Sequence, residues 1–368
     1  MRKKIIISTI LLVFALNYVG QPVYASEKMS TQNDNSTLYS VSKSFNTGWV
    51  IIGGNTYYFN SNGVMQVGLK VIGGKQYYFD TNGIMQTGWQ IVSNRKYYFT
   101  ADGSAQTGFF AIGYNTYYGN YLGQIAVGLQ TINGKRYYFD ANGVMQTGWQ
   151  VVGSSKYYFK ADGSAQLGFF TIGGDTYYGN SFGQIAVGLQ TINGKRYYFN
   201  ANGVKQTGWQ VVANRKYYFT ADGSAQIGFF TMGGYIYYGN YLGQIAVGLQ
   251  TINGKRYYFD ANGVMQTGWQ VVGSSTYYFT ANGSAQIGFF TLDYNTYYSN
   301  SFGQLVKGIQ VINGKRYYFN DNGIMQTGWQ TIGRNTYYFM ADGSAATGWV
   351  TIGGISYHFG PTGIILKN

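Results

Sequence analysis

The side chains of this sequence that could do chemistry are aromatic, and they recur at fixed spacing. A Trp follows a repeating Gly at Trp49, Trp89, Trp149, Trp209, Trp269, Trp329 and Trp349. A Tyr pair comes next, with its second member at Tyr58, Tyr98, Tyr158, Tyr218, Tyr278 and Tyr338 in those units and at Tyr138, Tyr198, Tyr258 and Tyr318 in others. Such rings offer faces for stacking, not groups that move protons or electron pairs. The acids give catalysis no footing. Glu27 is the only Glu among twelve acidic residues, and Asp102, Asp140, Asp162, Asp222 and Asp342 sit in turn signals, where a short carboxylate supports local backbone geometry. No pair recurs as a glycosidase acid and base. With a single His358 and no cysteine, neither a His or Cys metal site nor a catalytic triad can be assembled. The Asp140 to Gly143 turn lacks the remaining calcium-loop ligands. Gly pairs such as Gly53-Gly54 lie in hairpin turns rather than before helices, so no phosphate loop is expected. The expectation is a non-catalytic protein with no metal and no cofactor.

These rings need elements to position them. The stretch Gly128 to Gln150 returns unchanged at Gly248 to Gln270 and nearly unchanged at Gly188 to Gln210. Each copy holds two turn signals, Asn133-Gly134 and Asn142-Gly143 in the first, around the run Tyr137-Tyr138-Phe139. That pattern predicts a hairpin followed by a connector. A Gly recurs every twenty residues from Gly48 to Gly348, marking sixteen units, and periods of this size predict a solenoid-like array whose core lies between neighbouring units. The 55 Gly and 39 Tyr suit short strands and tight turns, and no window carries a sustained helical period.

Before the array, Arg2, Lys3 and Lys4 precede the apolar run Ile5 to Leu16, and a small-residue pattern ends at Ala25. Residues 1–25 are read as a secretory signal peptide and residues 26–46, rich in Ser, Asn and Thr, as a flexible linker. Cleavage after Ala25 removes three positive charges and no negative ones, so the net charge of +13 becomes +10. No other run is apolar enough to cross a bilayer. Residues 47–368 form the array, with Pro361 to Asn368 as its cap. Secretion argues against a nucleic-acid partner despite the basic charge.

Alternation along a strand assigns the faces. In the unit headed by Trp149, Tyr157 and Phe159 share one face while Lys156 and Tyr158 share the other. A lysine is rarely buried without a partner, so Tyr157 and Phe159 are expected in the core and Tyr158 in a groove or solvent. A second period of sixty residues lies above the first, with units headed in turn by Trp, Phe and Leu or Ile. In Phe-headed units a second Phe follows (Phe110, Phe170, Phe230, Phe290), while the ring after the Tyr pair is lost at Gly119, Gly179, Gly239 and Ser299. One strand is expected to supply the volume the other gives up, so that Gly179→Phe would partly rescue Phe170→Gln. Cationic pairs such as Lys135-Arg136 and Lys195-Arg196 follow the same cycle, and basic stripes would favour an anionic polymer.

The run Gly148-Trp149, a turn, Tyr157-Tyr158-Phe159, Ala161-Asp162-Gly163-Ser164 and Gly168 resembles the cell-wall-binding repeats of Gram-positive surface proteins: choline-binding repeats, glucan-binding repeats of streptococcal glucosyltransferases and receptor-binding repeats of large clostridial toxins. The resemblance covers Thr47 to about Phe359. It implies an all-β solenoid of stacked hairpins, a left-handed superhelix with about three hairpins per turn, that binds carbohydrate or choline between successive hairpins. In the choline-binding branch the cage includes a Trp two residues before the second Tyr. Here that place holds Lys156, Arg136 or Thr176, and a cation there would repel choline, so the balance moves toward a glycan. The seven Trp and the second Tyr of each pair named above are the expected ligand-binding residues. The expected protein is secreted and attaches non-covalently to cell-wall polysaccharide or teichoic acid. Alternatives are a toxin-repeat-like adhesin for host or environmental glycans, a choline binder, and a purely structural surface protein.

Overall fold

A computed structural model describes residues 47–366; the expected signal peptide and linker, and the last two residues of the cap, lie outside them. Among the described residues every regular element is a β-strand of five residues, and the thirty-two strands pair as sixteen separate two-stranded antiparallel hairpins. The chain divides into two units, one running to Phe170 with Tyr178–Ile185, the other made of Thr171–Tyr177 and the chain from Ala186 onward. Each is described on its own.

The hairpin is set by its turn. In the first unit, Gly148–Val152 pairs with Ser155–Phe159 in the register Trp149 opposite Tyr158 and Gln150 opposite Tyr157. The loop is therefore the two residues Gly153-Ser154. Asn133 and Gly134 both take positive φ, 49° and 75°, the backbone of a type I′ turn whose twist matches that of the flanking strands. The same turn is built without Gly at Ser93-Asn94, Ala213-Asn214 and Asp293-Tyr294.

The connector is a second local device. The Asp140 carboxylate oxygen Oδ1 accepts from the backbone N–H of both Asn142 and Val144 at 2.9 Å, and the chain turns at Gly143. Beyond the turn, Met145 N–H donates to the Thr116 carbonyl at 2.8 Å, twenty-nine residues back in the preceding hairpin. Ala105 to Gln76, Ile125 to Lys96 and Ala165 to Arg136 repeat this stitch in the first unit, and Ala225 to Arg196 and Met265 to Ile236 in the second. Connectors also stack. A Cβ on Gly163 would lie 2.2 Å from Met145 Sδ, and its φ is +77°, so both backbone conformation and close approach require glycine there.

A lone hairpin is marginal in water, and burial between neighbours supplies the rest. Tyr157, Phe159 and Ala165 form one buried cluster, against which Leu129 and Tyr138 of the preceding hairpin pack. Tyr217, Phe219 and Ala225 with Leu189 and Tyr198 repeat it in the second unit. The expected face assignment holds: the first Tyr and the Phe are inside, the second Tyr half-exposed. Each fully buried ring contributes roughly 1.5–3 kcal/mol.

The Phe-headed units depart from the expected volume exchange in one respect. Phe170 stacks on Tyr158 at 5.5 Å, as a ring supplied by the other strand should. At Gly179, however, a Cβ would stand 2.1 Å from the Gln166 carbonyl oxygen. The connector backbone, not only the second Phe, has moved into the space left by the missing ring. A phenylalanine cannot be returned there, and the expected rescue is overturned. Ser299 occupies the equivalent place fully buried, and its hydroxyl finds no hydrogen-bond partner.

Three outcomes follow from these contacts. Phe170→Gln lowers stability by about 1–3 kcal/mol, and adding Gly179→Phe deepens the loss; denaturant unfolding of both single variants and the double variant measures it. Ser299→Ala, which removes an unpaired buried hydroxyl while keeping the Cβ, raises stability by about 1 kcal/mol in the same assay. The third concerns acid. The Asp342 carboxyl is held down at about 2, first by the Ser344 hydroxyl, then by the Ser344 N–H, with Lys315 a smaller influence. Asp102 and Asp222 are held lower still, first by the hydroxyls of Thr100 and Thr220. Because these folded-state values lie below the ordinary carboxylate value of 3.8, their stabilisation is complete above about pH 4 and is lost as pH falls through the folded values. The melting temperature should be insensitive to these groups above pH 5 and fall between about pH 4 and 2, less steeply in the Asp102, Asp222 and Asp342→Asn variant. These carboxylates are more than half exposed, so the fall is modest.

Candidate aromatic binding grooves

Except in the last hairpin, the residue after the repeating Gly lies opposite the second Tyr, on the face turned away from the buried Phe. Trp49 pairs with Tyr58, Trp89 with Tyr98, Trp209 with Tyr218, Trp269 with Tyr278 and Trp329 with Tyr338. Each Trp meets its partner edge-on, at 4.9–5.1 Å between ring centroids. A third ring comes from the next hairpin. Tyr77 stands 4.7 Å from Trp49, Tyr117 4.8 Å from Trp89, Tyr237 4.9 Å from Trp209, Tyr297 5.1 Å from Trp269 and Tyr357 4.9 Å from Trp329. Stacking of hairpins thus creates a recurring groove in which a Trp is flanked by two Tyr.

The seven Trp are not equivalent. Trp349 stacks face to face on His358 at 4.5 Å, with no tyrosine opposite it, and is the most exposed of the seven. At the position two residues before the second Tyr, Lys96 Nζ lies over the Trp89 ring at 4.2 Å, Lys156 Nζ over Trp149 at 4.1 Å and Lys216 Nζ over Trp209 at 4.3 Å. Thr56, Thr276 and Thr336 hold that position beside Trp49, Trp269 and Trp329.

The remaining expected residues divide differently. Tyr138, Tyr198, Tyr258 and Tyr318 lie opposite Leu129, Leu189, Leu249 and Ile309, not opposite a second large ring. They stack on Phe159, Phe219, Phe279 and Phe339 at 6.1–6.2 Å. Conversely, Phe109, Phe229 and Phe289, which are not among the expected ligand-binding residues, take the Trp position: Phe109 sits 4.9 Å from Tyr118 and 5.0 Å from Tyr137 of the next hairpin. The first Tyr of a pair, expected only in the core, also lies edge-on to the Trp of the groove before it. The signal for the phenylalanines was their place after the repeating Gly.

The basic stripes are partly neutralised. Lys75, Lys195 and Lys315 pair with Asp102, Asp222 and Asp342 at 3.2–3.3 Å. Arg196 donates to the Leu242 carbonyl at 3.4 Å and Arg256 to that of Phe302 at 3.2 Å, each forty-six residues along the chain. Asp162 is engaged by its own turn, where Ser164 donates from N–H and hydroxyl. Among the described residues no group of three or more His, Cys, Asp or Glu is placed to hold a metal, and no helix is long and apolar enough to cross a membrane.

The structure of choline binding protein F from Streptococcus pneumoniae is 25% identical, covering 76% of this chain and 98% of that one, with a TM-score of 0.42. CbpJ from Streptococcus pneumoniae TIGR4 is 29% identical over 76% of this chain and 99% of its own, with a TM-score of 0.38. The modular autolysin LytC from Streptococcus pneumoniae, solved with a synthetic peptidoglycan ligand, is 21% identical over 60% of this chain and 52% of its own, with a TM-score of 0.41. No curated protein matches the chain. A putative cell wall binding repeat model matches residues 47–65 and 87–105. The choline-binding repeat model matches residues 66–95, 126–167, 186–227, 246–290, 306–344 and 326–368, together more than half of the sequence, and the chain belongs to the choline-binding repeat family.

Proposed function

We propose that this chain is a secreted, non-catalytic binding array that attaches non-covalently to cell-wall polysaccharide or teichoic acid through its aromatic grooves. The observation that carries this reading is the recurrence, within each unit of the chain, of a Trp flanked by a Tyr of its own hairpin and a Tyr of the next. Repetition of one groove suits a polymer that presents one chemical group many times, because each bound group raises the effective concentration of the next. Ring faces are electron-rich and take either an ammonium cation or the C–H face of a sugar. The match to choline-binding and cell wall binding repeats supports the wall as target.

A second reading, sugar stacking without an ammonium group, draws on the residue two before the second Tyr, which is Lys, Arg, Gln, Thr, Ser or Ile and never a ring. The two are separated by retention of the full chain on fractionated wall polymers, with and without excess free choline, read by Trp fluorescence. Retention on wall with quenched emission is the expected result, and elution by choline identifies the ammonium headgroup while retention in its presence identifies the glycan. Failure of every wall fraction to retain the chain or quench its emission would sink the wall-binding reading.

A further inference from the structure

The Trp-headed grooves fall into two chemical classes, and the division follows one side chain. We propose that Lys96, Lys156 and Lys216 act as built-in ligands that close their own grooves, leaving the grooves of Trp49, Trp269 and Trp329 to take a wall-borne quaternary ammonium group. This rests on the wall-binding reading above and narrows it to particular grooves.

Three observations point the same way. Each of the three lysines places its ammonium 4.1–4.3 Å from the centre of a Trp ring, the position in which a cation is held by the ring face. The nitrogen is held from the far side as well: Lys96 Nζ donates to the Asn142 carbonyl at 2.9 Å across the cleft beside Ile91 and Gln124, and Lys216 Nζ to the Asn262 carbonyl at 3.0 Å. Lys96 and Lys216 also stand 5.8 Å from the centres of Tyr117 and Tyr237, so two rings share each cation. Exposure follows the same division. Trp49, Trp269 and Trp329, beside threonine, are 43%, 41% and 42% exposed, and the three Trp beside lysine are less exposed than these.

The chemistry excludes a second cation. A tethered ammonium competes at the effective concentration set by its own short side chain, which a free ligand cannot match. A quaternary ammonium entering beside it also meets a like charge at contact distance, which disfavours both. Threonine has no charge and too short a reach to cover the indole. Lys96 and Lys216 become fasteners between a hairpin and a turn forty-six residues on, while the threonine grooves keep their ring faces for the wall.

Two measurements on the full chain test the proposal. The first needs no ligand and no variant. Brief acylation with an amine-reactive ester, read by peptide mass spectrometry, should label Lys96, Lys156 and Lys216 at least about fivefold more slowly than the exposed Lys75, Lys195 and Lys315. Equal labelling overturns the built-in ligand whatever the wall ligand proves to be. The second is titration with tetramethylammonium chloride, followed by Trp emission. The quenched amplitude should about double in the Lys96, Lys156 and Lys216→Thr variant, as three further Trp become accessible, and should vanish in the Thr56, Thr276 and Thr336→Lys variant. Unchanged amplitude in both folded variants, with the lysines still protected in the wild type, overturns the assignment of the threonine grooves to an ammonium group. Retention on wall fractions in that case leaves the wall-binding reading standing, with a glycan as its ligand.

Discussion

Five residues on each arm of a two-residue turn cannot bury themselves, and everything else in this protein answers that constraint. A hairpin such as Gly148–Val152 with Ser155–Phe159 has one apolar face and nothing of its own to put against it. The neighbouring hairpin supplies the cover, and the connector ties the two by a backbone hydrogen bond twenty-nine residues long. Hydrophobic burial and backbone pairing therefore both act between neighbouring hairpins, which is how a chain without a single cysteine holds together.

The grooves are a by-product of that arrangement. Burying Tyr157 and Phe159 on one face puts Trp149 and Tyr158 on the other, because side chains alternate along a strand. Within one unit, stacking then brings the first Tyr of the following hairpin edge-on to the Trp, as Tyr117 stands to Trp89. The same tyrosine serves two purposes, its ring body filling the core and its edge closing the groove. A substitution there would not separate stability from binding, whereas the residue two before the second Tyr touches the groove and leaves the buried cluster alone.

Much of this was legible in the sequence. The twenty-residue Gly period gave the units, the Asn-Gly pairs gave the turns, and a single cation next to the Tyr pair was enough to say which ring faces inward. The depth at which reasoning failed is also physical. Nothing local to Gly179 says that the Gln166 carbonyl fills the space of the missing ring, because that approach depends on how far the connector settles. Nothing local to Lys96 says that its ammonium reaches both an indole seven residues earlier and a carbonyl forty-six residues later. The charge at that position is visible in the sequence. Its partner ring was not foreseen, nor that Thr56, Thr276 and Thr336 make three grooves of a different kind.

The forty-six-residue reach of Lys96, Lys216, Arg196 and Arg256 has a bearing on how such a chain can grow. Each of these donors spans its own unit and the next, and ends on the turn of a third. Loss or gain of one twenty-residue unit would keep every hairpin intact yet hand each such donor a turn from the wrong class of unit. Loss or gain of sixty residues restores every pairing. The triplet is thus the segment whose copying keeps each donor on a turn of its own class, and lengthening by triplets adds one lysine-closed groove to the array each time the copied Trp unit carries a lysine.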